Sequence, residues 1–353
     1  MRRVRILVKA GFSVLFFLLI LGTIRRGELM RVLGNVDWRF VILSFAVAAV
    51  MIASSCLKWQ LVLRARGHHL GFLTLLRIYF IGYFFTSMLP SNIGGDVVRS
   101  FYAGRLIGSQ SDAAAAVFVE RFSGILFLLL LAVISPLLRP ELYQRLLVVI
   151  PAGGAILLLA LVIWMWFMRD PLALPEKIFF GILEWSERRL ESRGGAATRL
   201  ANRLLHWLAH RFFGALRTFQ QKLGLLIRYL RERPGALAWL VALTVWFYFL
   251  TWINVYVSFR AFGVDPGFRG VAALVPVCML MAMLPVTFLG NLGFTEGVYV
   301  TYFHLLGISS AASLAMGLLL RIKLLTVGSI GCILYLSYRE AAGAPPGEDS
   351  SKI

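Results

Sequence analysis

Apolar residues of this chain occur in long continuous runs that are separated by short polar connections. About 20 consecutive apolar residues suffice for an α-helix to cross the hydrocarbon core of a bilayer, and several of these runs reach that length. We therefore predict an all-α polytopic membrane protein with about six to eight transmembrane helices. The predicted spans lie at roughly 7–24, 40–63, 113–138, 146–168, 236–260 and 311–338.

Two further apolar stretches, 72–89 and 271–285, each end at a helix-breaking sequence. The first break begins at Pro90, a matching break begins 195 residues later at Pro285, and glycines and a carboxylate follow each proline. A bilayer core offers no water to free N–H and C=O groups, so an interrupted backbone survives there only inside protein or beside a polar cavity. Two matching re-entrant segments in two halves of one chain indicate the working centre of a transporter and are typical of an inverted repeat.

The polar section 169–234 gives the chain its predicted orientation. From 169 to 233 it holds thirteen Lys and Arg residues against six Asp and Glu residues, which by the positive-inside rule places it in the cytoplasm. Counting spans from that section, the first break enters the membrane from the cytoplasmic face and the second from the outside. The arginine-rich loop 25–39 argues against this scheme, because the scheme places that loop outside.

Within the polar section, apolar side chains recur at helical spacing from Leu200 to Leu230, and basic residues fill the other faces. Such a basic amphipathic helix lies either on the cytoplasmic membrane surface, with its arginines on anionic headgroups, or against its own protein. We interpret residues 1–340 as a single integral membrane domain that includes this section. Residues 341–353 are predicted to be a disordered cytoplasmic tail, because they are polar and rich in Pro and Gly.

Composition supports a membrane protein and narrows its class. Hydrophobic residues make up 59% of the chain and charged residues 15%, and the mean hydropathy is +0.79, a balance that no soluble domain of 353 residues needs. The net charge of +19 reflects Lys and Arg beside anionic lipid, and no nucleic-acid partner is predicted because no binding motif accompanies it. Walker A, Rossmann, HExxH and GxSxG motifs are absent from the sequence, so no catalytic residue, metal or cofactor is predicted and an enzyme is not favoured.

Candidate chemistry begins at the first break. Pro90 ends a helix because it lacks an N–H, and Gly94 and Gly95 permit close backbone approach. Asp96 either caps the next helix beside a snorkelling Arg99, or works with Arg99 and exposed N–H groups to hold an anionic headgroup. The candidate binding residues of this segment are Pro90, Asn92, Gly94, Gly95, Asp96 and Arg99.

The second break has the same kinds of residue, a proline, glycines and a carboxylate, in the other half of the chain. Asn291 adds a neutral hydrogen-bond donor. Glu296 precedes an apolar run, so it lies in or near the membrane, where its alternative role is a helix N-terminal charge at the interface. The candidate binding residues of this segment are Gly290, Asn291, Gly293 and Glu296.

Four more candidate binding residues are charges inside predicted spans, where a charge is costly unless it faces a cavity or a partner. Adjacent residues on a helix point about 100° apart, so Glu120 and Arg121 are expected to have different partners. We predict that Arg121 pairs with Asp96. Glu120 is expected to pair with Arg321 or Lys323 of the last span.

Other polar or reactive residues in apolar segments are predicted to be structural. Lys58 lies towards a span end and is expected to snorkel to the interface. His304 is interpreted as a satisfied interior histidine. Cys56, Cys278 and Cys332 have no pairing motif and are expected to behave as small hydrophobic residues.

The broken segments and the charged span resemble a known family. PSNIGGDVVR (90–99), VERFSG (119–124) and LGNLGFTEG (289–297) are similar, in the same order, to the membrane region of lysylphosphatidylglycerol synthases, also known as multiple peptide resistance factors, and of their stand-alone flippase-like relatives. The resemblance covers roughly 10–338 and implies one shared site, formed by Gly94, Gly95, Asp96, Arg99, Glu120, Arg121 and Glu296. Those synthases also carry a soluble aminoacyl-transferase domain, which this sequence lacks, so their synthetic activity is not expected here.

Taken with the resemblance, these residues predict a lipid flippase or transporter that moves a phospholipid or lipid-linked headgroup across the cytoplasmic (inner) membrane. The predicted partners are a membrane phospholipid or polyprenyl-linked lipid, anionic headgroups at the cytoplasmic face, and a lipid-modifying synthase or glycosyltransferase. The alternatives are a membrane-embedded transferase acting on a lipid-linked substrate and an accessory subunit or scaffold for such an enzyme.

Overall fold

The structure, a computed structural model, consists of α-helices joined by short connections, and its described residues include no β-strand. It describes residues 26–88, 94–167, 173–190, 205–207, 209–214, 217–218, 221, 224, 228, 233–284 and 291–343. The predicted span 7–24, the tail from 344 onwards, and Pro90, Asn92, Pro285 and Gly290 lie outside these residues. The described helices are α1 (Arg26–Gly34), α2 (Trp38–Ala65), α3 (Phe72–Met88), α4 (Gly94–Ile107), α5 (Gln110–Ile134), α6 (Leu146–Phe167), α7 (Ala173–Leu190), α8 (Pro234–Arg260), α9 (Phe268–Ala282), α10 (Phe294–His304) and α11 (Ser310–Gly343).

Five of the described helices are long and apolar enough to cross a membrane: α2, α5 with the 3-10 turn that continues it to Leu138, α6, α8 and α11. Their bounds agree with the predicted spans to within a few residues, because a long apolar run has to form its backbone hydrogen bonds internally. Helices α3 and α9 are apolar but shorter, and they end where the sequence predicts the two breaks. The all-α polytopic class is therefore confirmed.

The same order of helices occurs twice along the chain. In the first repeat a long helix, two short helices and a long helix follow one another as α2, α3, α4 and α5. In the second repeat α8, α9, α10 and α11 have the same order and similar lengths. The two repeats interlock, since α2 packs along α8 and α3 packs along α11.

Each repeat has its own hydrophobic core. In the first, Trp59 of α2 and Leu75 of α3 are completely buried. In the second, Phe259 of α8 and Phe303 of α10 pack with ring centroids 4.7 Å apart, beside Met316 of α11. The polar residues described below lie in and beside these cores.

Helices α3 and α4 approach so closely that only glycine fits at their contact. A Cβ atom on Gly95 would overlap both the Thr86 hydroxyl and the Gly82 carbonyl oxygen. A Cβ atom on Gly82 would lie 2.6 Å from Cγ of Arg99. The close approach expected at Gly95 is therefore present, and it leaves Arg99 room to extend along α3.

The described parts of the polar section form a pair of contacting helical pieces. Phe180 of α7 packs against His210, with ring centroids 4.6 Å apart, and Phe179 packs against Phe213. Arg217 also bonds Glu176 of α7 at 2.6 Å. These contacts are within the polar section, and its placement relative to the membrane stays a prediction.

Candidate functional site

Four charged side chains of α4 and α5 form an ion-pair network that we call the first cluster: Asp96, Arg99, Glu120 and Arg121. Arg99 Nη2 donates to Asp96 Oδ1 at 2.9 Å and to Glu120 Oε2 at 2.8 Å. Arg121 Nε donates to the same Asp96 oxygen at 3.0 Å. The predicted pair of Arg121 with Asp96 is therefore confirmed, and Glu120 and Arg121 do have different partners.

Two expectations for these residues are wrong. Glu120 pairs with Arg99 of the neighbouring helix, not with Arg321 or Lys323, because α4 and α5 pack directly against each other. Asp96 does not occupy the N-cap position, because α4 begins two residues earlier, at Gly94. Asp96 lies in the first helical turn instead, where its carboxylate receives arginine donors.

Arg99 is the most buried member of the first cluster, at 1% exposure. Its guanidinium carbon lies 4.2 Å from the ring centre of Tyr79 and 5.1 Å from that of Trp59, distances at which the rings attract a cation. Nε and Nη1 of this side chain are buried and have no hydrogen-bond partner among the described residues. Buried donors of this kind are costly unless something accepts from them, so Arg99 is suited to binding an anion.

A polar cavity of about 280 Å³ adjoins the first cluster. Arg99 and Arg121 line it together with Lys58 of α2, so three cationic groups face two carboxylates. The side chain of Arg121 is 47% exposed, which leaves part of its guanidinium accessible from the cavity. The other polar or small lining residues are Ser55, Tyr79, Gly82, Tyr83, Thr86, Gly95, Gly124 and Tyr248.

Lys58 corrects another expectation. It does not snorkel to the interface, because it is 5% exposed and lies against α5, where a Cβ on Gly124 would be 3.8 Å from its Nζ. Sequence reasoning also did not identify Tyr79 and Tyr83 of α3 as cavity residues. The available signal for Lys58 was its position seven residues before the end of a predominantly apolar helix.

The second break contributes a separate group, the second cluster, built on Glu296 of α10 and Arg321 of α11. Arg321 donates to Glu296 Oε1 through Nε at 2.9 Å and to Oε2 through Nη2 at 3.3 Å. The Gly293 N–H also donates to Oε2 at 2.8 Å. The two side chains are 1% and 10% exposed, so this pair is sealed inside the protein.

Asn291 has a structural role in the second break. Its Nδ2 donates to the carbonyl oxygens of Ala282, at 2.8 Å, and Leu284, at 2.6 Å, which end the preceding helix. Since a side-chain amide has two N–H donors, both are used. Asn291 also adopts a φ of 60°, a left-handed conformation that Asn tolerates better than most residues.

Lys323 belongs to neither ion-pair cluster. Its Nζ donates to Asn254 Oδ1 at 2.6 Å and to Ser258 Oγ at 3.0 Å, both on α8. The structure thus divides the predicted site residues between the first cluster with its cavity, the sealed second cluster and this lysine contact. None of Glu296, Arg321 and Lys323 lines the described cavity.

The fold and the site together define the class of protein: a multi-pass α-helical membrane protein with two repeated helical units and a cavity lined by three cationic and two acidic side chains. The chain belongs to the family described as the lysylphosphatidylglycerol synthase TM region, whose profile matches residues 6–331.

Individual relatives agree with this assignment. The chain is similar to a "UPF0104 membrane protein" of Methanothermobacter thermautotrophicus, with 24% identity over 294 residues, which cover 82% of each chain. A second protein of the same name and organism is 22% identical over 88% of this chain and 87% of its own. A UPF0104 membrane protein of Methanocaldococcus jannaschii is 27% identical over 31% of this chain and 33% of its own.

Proposed function

We propose that the protein is a lipid flippase or transporter that moves a phospholipid or a lipid-linked headgroup across the cytoplasmic membrane. The observation that carries this proposal is Arg99, whose two unpartnered buried donors belong to a side chain that lines the polar cavity. A phosphate group would accept from these donors and from the accessible part of Arg121, in a site where water competes weakly. The excess of cationic groups around the cavity favours an anionic ligand over a neutral one.

The repeat supports transport as the use of this site. Each repeat has two crossing helices, so it begins and ends on the same face of the membrane. The single crossing helix α6 then carries the chain to the other face, provided that residues between α6 and α8 do not cross. On this topology the two short-helix pairs enter from opposite faces, as in transporters with inverted repeats.

Proteoliposomes that contain a fluorescent phosphatidylglycerol test the proposal. Wild-type protein should accelerate exchange of this lipid between leaflets, and Arg121→Ala should abolish the acceleration because one of the cavity's cations is lost. Arg105→Ala is the matched control, since Arg105 lies on α4 outside the described cavity. Unchanged exchange by a well-folded Arg121→Ala variant would count decisively against the site.

The same incubation separates transport from group transfer. A transferase would produce a new covalent lipid species, which mass spectrometry of the extracted lipids would detect. The geometry favours transport, because Asp96 and Glu120 both accept from arginines and neither is a free general base. A lipid-modifying synthase or glycosyltransferase remains a proposed partner that would supply or use the transported lipid.

A further inference from the structure

A second concavity lies directly beside the polar cavity and is almost entirely apolar. This apolar groove, of about 560 Å³, lies between α5, α6 and α8. Ser123 and Thr244 are its only hydroxyl-bearing lining residues in the described part of the chain. The groove is accessible from the outside of the protein, because each of its three helices contributes an exposed lining residue. These are Leu130 of α5, Ile163 of α6 and Val241 of α8, which are 42%, 56% and 52% exposed.

Lining residues of the groove and of the polar cavity follow one another along one stripe of α8. Leu237, Val241 and Thr244 line the groove, and Tyr248, one helical turn further on, lines the cavity. Spacings of three and four residues keep these side chains on one face of the helix. At 1.5 Å per residue the stripe from Leu237 to Tyr248 is about 16 Å long, about half of the 30 Å hydrocarbon core.

Helix α5 separates the two concavities by presenting a different face to each. Glu120 and Gly124 line the cavity, whereas Ser123 and Phe127 line the groove. At the boundary the rings of Phe127 and Tyr248 lie 5.4 Å apart, and the Tyr248 hydroxyl donates to the Gly124 carbonyl at 2.8 Å. A molecule that reaches from one concavity into the other would therefore pass this ring pair.

We infer that the apolar groove binds an acyl chain of the lipid whose phosphate-bearing headgroup occupies the polar cavity, an inference that rests on the proposed function. A charged cavity beside an apolar groove, which together extend about one leaflet's depth along α8, matches the two chemistries of a phospholipid. In a bilayer an acyl chain gains little hydrophobic energy by entering the groove, because the surrounding lipid tails are equally apolar. The groove instead orients a lipid that the headgroup site anchors.

Photo-crosslinking with a phosphatidylglycerol that carries a diazirine in one acyl chain tests this coupling in vesicles of unlabelled phosphatidylcholine. The wild-type chain should be labelled in the groove, at Leu130 and Val241, and also at Leu157, which is 72% exposed on α6 and does not line the groove. Arg121→Ala should lower groove labelling about fivefold or more, as expected for loss of about 1 kcal/mol of headgroup binding. Labelling at Leu157 should not change, because no headgroup contact fixes lipid there.

Two bulky substitutions that fill the groove test the same inference independently. Val241→Trp should block groove labelling by the same probe, and Leu130→Trp should do so from α5 if Val241→Trp does not fold. Val245→Trp is the control, because Val245 is 44% exposed on the same helix and does not line the groove. The inference is overturned if groove labelling is independent of Arg121, which would indicate ordinary surrounding lipid, or if the groove is not labelled at all, which would indicate another occupant.

Failure of this inference is distinguishable from failure of the proposed function. Leaflet exchange by wild-type protein without Arg121-dependent groove labelling would retain transport and reject the acyl-chain site. Arg121-dependent labelling without leaflet exchange would support the acyl-chain site and reject transport.

Discussion

Each repeat has a carboxylate and an arginine at the same spacing, but the two ion pairs differ in how far they are buried. Asp96 and Arg121 are 25 residues apart, and so are Glu296 and Arg321. In the second repeat both side chains are buried and bonded to each other, whereas in the first the Arg121 side chain is 47% exposed beside a cavity. The same ion pair is therefore buried in one repeat and borders the polar cavity in the other.

The two clusters also differ at a second pair of positions, which in the first repeat holds Arg99 and Glu120. Arg99, three residues after Asp96, bonds Glu120, which directly precedes Arg121. The corresponding residues of the second repeat are Tyr299 and Leu320, and both pack in its hydrophobic core. An additional buried arginine with unpartnered donors is thus present only in the first of these two clusters, and we infer that it makes that repeat the one that binds ligand.

The lysines of the two repeats show the same contrast. Lys58 extends from α2 towards α5 and lines the cavity. In the second repeat the lysine is on the last helix instead, and Lys323 extends from α11 to Asn254 and Ser258 of α8. A lysine thus lies between the first and last helices of both repeats, but it bonds the opposite helix only in the second. We infer that only Lys58 is available to a ligand.

The largest expected effect is the loss of stability when the buried Glu296–Arg321 ion pair is broken. Arg321→Ala leaves the buried Glu296 carboxylate without its cation and should lower the free energy of unfolding by about 3–5 kcal/mol. Arg121→Ala should lower it by about 1 kcal/mol or less, because Arg121 is partly exposed and Asp96 keeps its bond to Arg99. Thermal unfolding of the purified variants in detergent measures both losses, and equal losses would remove the distinction between the two clusters.

A smaller effect should separate the structural from the binding role of Asn291. Asn291→Ala loses two hydrogen bonds and puts alanine at a φ of 60°, so it should destabilise the protein by about 2 kcal/mol. Asn291→Gly should lose about 1 kcal/mol less, since glycine accepts this φ. Both variants should bind phosphatidylglycerol in native mass spectrometry as the wild type does; weaker binding by a stable Asn291→Gly variant would assign Asn291 to the ligand.

The smallest effect distinguishes the two lysines. Lys58→Gln should weaken phosphatidylglycerol binding about tenfold, equivalent to about 1.4 kcal/mol, with little change in thermal stability. Lys323→Gln should instead reduce stability and leave that affinity unchanged, because its contacts are with Asn254 and Ser258. Lipid titration of both variants by native mass spectrometry measures the contrast, and it disappears if Lys323→Gln also weakens binding.

Much of the helical framework was predictable from local sequence. The long apolar runs predicted the crossing helices, and helix-breaking residues predicted the ends of α3 and α9, because both signals act within the chain segment itself. The pair of Arg121 with Asp96 was also correctly predicted. The partner of Glu120 was not, because charge alone cannot distinguish Arg99 from Arg321 and Lys323 when all three are candidates.

The sequence by itself determined that the chain is a polytopic helical membrane protein with two interrupted halves, because the bilayer requires every crossing segment to satisfy its own backbone. Only the tertiary structure decided which buried charges meet, and it divided one expected site into two clusters. It also brought Lys58 and Tyr79 to the cavity. These outcomes depend on which helix faces pack together and how closely, as the Gly82–Gly95 contact beside Arg99 illustrates, and such distances are properties of the packed helices rather than of any one segment.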